Sequence, residues 1–102
     1  MRETTTANFE KDVLQHPGLC IVDFWAVWCA PCRTMAPVLE RAATQTSIDV
    51  FKVDIDPEID LATQYGVRSI PTLLFFKGGK VVDTIIGSVP QSRIETAIAK
   101  WK

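Results

Sequence analysis

Leu19-Cys20-Ile21-Val22-Asp23-Phe24-Trp25-Ala26-Val27-Trp28-Cys29-Ala30-Pro31-Cys32 is an apolar run that ends in a Cys-x-x-Cys pair. Residues 19–26 are almost continuously apolar, the pattern of a strand buried on both faces. From about Cys32 to Gln45, Met35, Val38, Leu39 and Ala42 recur at helical spacing. Pro37 is expected to bend that helix, because proline removes a backbone donor and clashes one turn back. A strand running straight into a helix start places Cys29 at unpaired N–H groups and a positive dipole end, which favour a thiolate over a thiol. The spacing brings the Cys32 sulfur within reach. A thiolate with a partner thiol is the minimum apparatus for breaking or making a disulfide in another molecule.

Working outward, Phe9, Val13 and Leu14 share one face of a first helix, with Thr6 or Asn8 as cap and His16-Pro17-Gly18 as stop. Residues 48–55 read as a second strand, and 59–65 as a short helix ending at Gly66. Residues 72–76 and 81–86 flank Lys77-Gly78-Gly79-Lys80, which predicts a tight hairpin. The last helix opens on Ser88-Val89-Pro90-Gln91, a capping-box pattern with proline in the first turn, and continues through Ile94, Ala97, Ile98 and Trp101. A β-α-β half followed by a β-β-α half predicts an α/β fold: one central mixed sheet flanked by helices on both faces. In such sheets the site lies beyond the carboxyl ends of the parallel strands, where Trp28-Cys29 emerges.

Composition narrows the function. The 102 residues are read as one domain, 1–102, with no repeat or linker. A net charge of −1 and no basic stripe exclude nucleic acid as a partner. No segment approaches the roughly 18 consecutive apolar residues of a membrane span, so no membrane partner is expected. Met1-Arg2-Glu3-Thr4-Thr5-Thr6 lacks the apolar run of a signal peptide. Three cysteines make no disulfide framework, and the reading is a monomer in a reducing cytoplasm, where a Cys-x-x-Cys pair is catalytic or metal-binding.

Several segments, in order and spacing, resemble the thioredoxin family along essentially the whole chain. They are Val22-Asp23-Phe24-Trp25-Ala26, Trp28-Cys29-Ala30-Pro31-Cys32-Arg33, Ala36-Pro37, Lys52-Val53-Asp54, Tyr65-Gly66-Val67-Arg68-Ser69-Ile70-Pro71-Thr72, Lys77-Gly78-Gly79 and Gly87. Thioredoxin is itself the stock example of a low-pKa Cys-x-x-Cys, so that association comes with the family and not from the spacing. The resemblance implies the thioredoxin fold and a general dithiol–disulfide oxidoreductase that reduces protein disulfides. It also implies recycling by a thioredoxin reductase that uses NADPH; no cofactor is bound beyond the redox-active Cys29/Cys32 disulfide, and no nucleotide-binding fingerprint occurs in the sequence.

Cys29, the first sulfur at a helix start, is expected to be the exposed attacking nucleophile, and Cys32 the more buried resolving thiol. Asp23 interrupts an apolar strand six residues before Cys29. Burial there raises a carboxyl pKa and makes a proton acceptor and donor near neutral pH, as the resemblance also implies. Lys52 reads from spacing as a solvated charge; the resemblance makes it the lysine that tunes Asp23. Proline after Ile70 is ordinary at a strand start and trans by base rate. The resemblance instead implies a cis Pro71 beside the sulfurs, with the Ile70 backbone pairing with an extended substrate. Trp28, Ala30, Pro31, Ile70, Ile86 and Gly87 complete the apolar docking rim. Trp25 and Trp101 are assigned to packing, and Cys20 to the core as an inert thiol.

A zinc site built from His16, Cys20, Cys29 and Cys32 competes with this reading, but Cys20 lies in a buried strand pattern. A Cys–His hydrolase fails because nothing brings His16 to Cys29. Asp54-Ile55-Asp56-Pro57-Glu58 starts like a calcium loop, but Ile59 and Tyr65 occupy its glycine and glutamate positions. A chaperone-like binding module would not need the intact pair with Asp23. An oxidase or isomerase is disfavoured because oxidising relatives carry histidine between the cysteines. Here that dipeptide is Ala30-Pro31, with alanine where the family usually has glycine.

Overall fold

A computed structural model describes residues 1–102. Five strands form one mixed sheet: β1 (Arg2–Glu3), β2 (Cys20–Trp25), β3 (Asp49–Asp54), β4 (Thr72–Lys77) and β5 (Lys80–Ile86). Their spatial order is β1-β3-β2-β4-β5, with β1, β3 and β2 mutually parallel and β4 and β5 antiparallel to their neighbours. Helices α1 (Ala30–Thr46), α2 (Ile59–Gln64) and α3 (Gln91–Trp101) cover the two faces, as the β-α-β and β-β-α halves predict. The continuous apolar run is explained by β2, which lies between β3 and β4 and is buried on both faces.

Side-chain alternation along β2 divides the core in two. Ile21 faces α1 and α3, packing with Met35, Leu39, Leu73, Phe75 and Ile94. Cys20, Val22 and Phe24 face the other way, against Phe9, Val13, Leu61, Leu74 and Phe76. Met35 and Leu39 are fully enclosed, each contributing roughly 1.5–3 kcal/mol from removal of apolar surface. The hairpin between β4 and β5 turns on Gly78 and Gly79, both at positive φ (62° and 78°), the conformation a two-residue turn of matching twist requires. A side chain on Gly79 would also press its Cβ to 3.1 Å from the Leu14 carbonyl oxygen.

Four local expectations need correction. Residues 10–14 form a single π-helical turn, Glu10–Leu14, with no side-chain cap from Asn8 or Thr6. Thr6 instead gives its N–H and hydroxyl to Glu58 Oε1, at 2.8 and 2.9 Å. Helix α1 begins at Ala30, two residues before the expected start, because Pro31 suits a first turn whose N–H groups lack partners anyway. Ser88 does not cap α3: Pro90 occupies the cap position with no side-chain bond, and the Ser88 hydroxyl lies 4.0 Å from Met35 Sδ. Strand β1 carries no signal in the sequence, because two exposed residues show no periodicity; the free edge of β3 recruits them.

Candidate active site

Strand β2 ends at Trp25, Ala26 is fully buried, and Val27 and Trp28 then swing into solvent at 64% and 65% exposure. Cys29 follows as the N-cap of α1, with extended backbone, and its Sγ accepts the Cys32 N–H at 3.2 Å. The two cysteines form a disulfide with Cα atoms 5.3 Å apart, inside the range such a bridge allows. The expected contrast in exposure is absent, since both residues are 4% exposed in this bridged form. Position separates them instead. Cys29 Sγ sits at the helix terminus and 3.8 Å from the Ile70 carbonyl oxygen, whereas Cys32 lies inside the first turn. On reduction, a Cys29 thiolate meets the Cys32 N–H and the helix dipole, both favouring negative charge there.

Behind the pair lies Asp23, 3% exposed, with Oδ1 lacking any hydrogen-bond partner. Burial pushes its carboxyl up to about 7, while the positive charge of Lys52 pulls it back down. Lys52 stands opposite Asp23 in the β2–β3 register. Spacing in the chain hides that relation; only the parallel pairing of the two strands supplies it. A cavity of about 50 Å³ lined by Asp23, Trp25, Cys32, Arg33, Ala36 and Lys52 brings the carboxyl residue, the second cysteine and the lysine to one small space. That space is wide enough for a water-sized proton carrier. The indole of Trp25 does more than pack: the Lys52 ammonium lies 4.1 Å from its ring centroid, a cation–π contact that holds the lysine over the cavity.

The remaining expected residues converge on the same end of the sheet. The Ile70–Pro71 bond is cis and Pro71 is buried, with Ile70 packed against Ala26, Cys29 and Cys32. Gly87 donates its N–H to the Pro71 carbonyl at 2.8 Å, and Ile86 pairs with Thr72, which ties the end of β5 to the start of β4. Trp28, Ala30, Pro31 and Ile86 are exposed around the disulfide, with Ile70 and Gly87 half-buried among them. Two further contacts and one exposed side chain escape a reading of the sequence. Trp28 Nε1 donates to Asp56 Oδ2 at 3.0 Å, Arg33 Nη1 donates to the Val27 carbonyl at 2.7 Å, and Val27 joins the exposed apolar surface. The signal for Val27 was its place between the strand end and the motif, outside the buried run.

The residues that could have made a zinc site are dispersed. Cys20 is enclosed on the α2 face, its thiol pushed up to about 12 mainly by burial. His16 is held between Gly18 and Asp49, with Nε2 2.8 Å from Asp49 Oδ2. No three His, Cys, Asp or Glu side chains form a metal-holding group. Trp101, assigned to packing, also donates from Nε1 to Asp83 Oδ2 at 2.9 Å.

Comparison with known proteins gives this geometry a family. Residues 1–100 match the family described as Thioredoxin. The chain belongs to the thioredoxin family. It is 44% identical over 101 residues to a thioredoxin of Porphyra purpurea, covering 97% of this chain and 94% of that one. Thioredoxin 1 of Synechococcus elongatus is 46% identical over 98 residues, covering 94% and 92%. A thioredoxin of Rhodospirillum rubrum is 46% identical over 96 residues, covering 92% of each. As a thioredoxin-family protein it is a disulfide oxidoreductase, and Cys29–Cys32 is its redox-active pair. No helix is long and apolar enough to cross a membrane.

Proposed function

We propose that the protein is a general reductant of protein disulfides, acting as a monomeric single domain in the cytoplasm and recharged by a thioredoxin reductase at the expense of NADPH. The Cys29 thiolate attacks one sulfur of the substrate disulfide. A mixed disulfide forms and the other substrate sulfur leaves as a thiolate, which takes up a proton. Asp23 then accepts the Cys32 proton across the shared cavity. The Cys32 thiolate attacks Cys29 Sγ, forming the disulfide and expelling the second substrate sulfur, to which Asp23 returns the proton. Two electrons and two protons pass to the substrate. Lys52 acts on Asp23 by charge and touches no reacting atom. The Ile70 backbone and Pro71 align the substrate as an added strand, while Trp28, Ala30, Pro31, Ile86 and Gly87 form the apolar rim.

One observation carries the reductive direction. The Cys29 sulfur is stabilised by a helix start with no charged side chain between the cysteines, only Ala30 and Pro31. That is moderate stabilisation, and strong oxidants need more. The test is equilibration of the pair with defined ratios of oxidised and reduced dithiothreitol. A potential near the family's reference value of about −270 mV supports the reading, and one near the oxidants at about −120 mV sinks it.

A further inference from the structure

A groove of about 320 Å³ opens beside the docking rim, on the sheet face that carries α2. Tyr65, Val67, Arg68, Thr72, Thr84 and Ile86 are among the residues that line it. Tyr65 is a fixed wall, its ring set edge-on to Phe76 with centroids 5.4 Å apart. The groove is continuous with the rim, since Ile86 belongs to both and Thr72 directly follows Pro71. A polypeptide lying across Ile70 and Pro71 therefore reaches the groove with its next two or three residues, at about 3.3 Å each.

The lining is apolar and hydroxyl-bearing, with one charge. Arg68 is exposed and has neither an ion pair nor a hydrogen bond, and no carboxylate lines the groove. Asp56, outside the groove lining, is held against Trp28 beside Cys29 by the indole bond and carries the opposite charge. A carboxylate on the substrate is thus drawn to Arg68 and repelled from Asp56.

We propose that this groove holds the chain segment flanking the substrate's reacting cysteine, and that Arg68 selects segments with an aspartate or glutamate within two or three residues of it. This rests on the reading of the protein as a reductant of protein disulfides. Arg68 touches no reacting atom; it changes which disulfides are reduced and leaves the chemistry to the cysteines.

The experiment uses the full chain and synthetic disulfide peptides identical except for Glu, Gln or Lys at the second or third residue on either side of the cysteine. For an exposed pair, kcat/KM is expected to be about two- to fivefold higher for Glu than for Gln on at least one side, with Lys lowest. Arg68→Gln removes the preference, Arg68→Glu reverses it, and about 0.5 M salt shrinks it in the wild type. Both variants retain the fold, because Arg68 is exposed and unpartnered. A flat wild-type series, or a preference that survives in Arg68→Gln, overturns the proposal. Reduction of an uncharged small disulfide by the wild type separates the two levels. If that reaction proceeds and the peptide series is flat, selection by Arg68 alone is wrong. If it fails, the reductant reading falls as well.

Discussion

Replacing Asp23 by asparagine should make the oxidised protein respond differently to pH. The ordinary carboxyl value of 3.8 applies to the unfolded chain, and burial raises the folded one to about 7. That gap puts the native state at a disadvantage of about 4 kcal/mol once Asp23 is ionised in both states. The sign follows from proton uptake. Between the two values the folded state holds a proton that the unfolded state has released, so wild-type stability falls with rising pH by about 1.4 kcal/mol per unit. The penalty is absent below about pH 4 and complete above about pH 7. Asparagine cannot ionise, but its buried amide costs about 1–3 kcal/mol at every pH if unpaired, so the diagnostic is the slope and not the offset. Urea unfolding of both oxidised proteins at about pH 4.5, 6 and 8 gives the comparison. The stability of Asp23→Asn relative to wild type should climb through this range and level off above neutrality. A difference flat to within about 0.5 kcal/mol, near the precision of such extrapolations, would refute the burial argument.

Further outcomes follow from other contacts. Because the Lys52 charge lowers the Asp23 pKa, Lys52→Met should move that titration above about 7, read by NMR of the Asp23 carboxyl; a downward move contradicts the assignment. Cys20 is fully enclosed with its thiol at about 12, so iodoacetamide should add nothing to the native oxidised protein and one group after denaturation, by mass spectrometry. Trp101→Phe removes the 2.9 Å bond to Asp83 and should cost about 0.5–1.5 kcal/mol in urea. Asp83, held below its usual range chiefly by that bond, should titrate higher in the variant.

Legibility followed the length of each signal. Residues 19–26 announce β2 because a strand between two neighbours buries every side chain, and Gly78-Gly79 announces its hairpin because few residues adopt those angles. The π turn, the start of α1 and the uncapped start of α3 were misplaced because each depends on what packs nearby, which local spacing does not carry. At the site, the cysteine spacing and the apolar neighbours of Asp23 were readable from the chain itself. The pairing of Lys52 with Asp23 was not, because it arises from strand register across 29 positions of sequence, and the cis form of Pro71 came only with the family resemblance. Arg68 and its groove needed three dimensions, since 65–69, 72–74 and 84–86 meet only after β4 and β5 pair.

Cys29 and Cys32 pack with Ala26 in a small group of their own, apart from the two large clusters that hold the sheet to its helices. The residues between them, Ala30 and Pro31, face solvent. The dipeptide between the sulfurs therefore lies outside the clusters that hold the chain folded, with Ile55 and Ile70 bridging the cysteine group to the α2-face core. Because neither residue belongs to a core cluster, that dipeptide can be exchanged without a compensating change in the core. The architecture is a chassis with a replaceable tip.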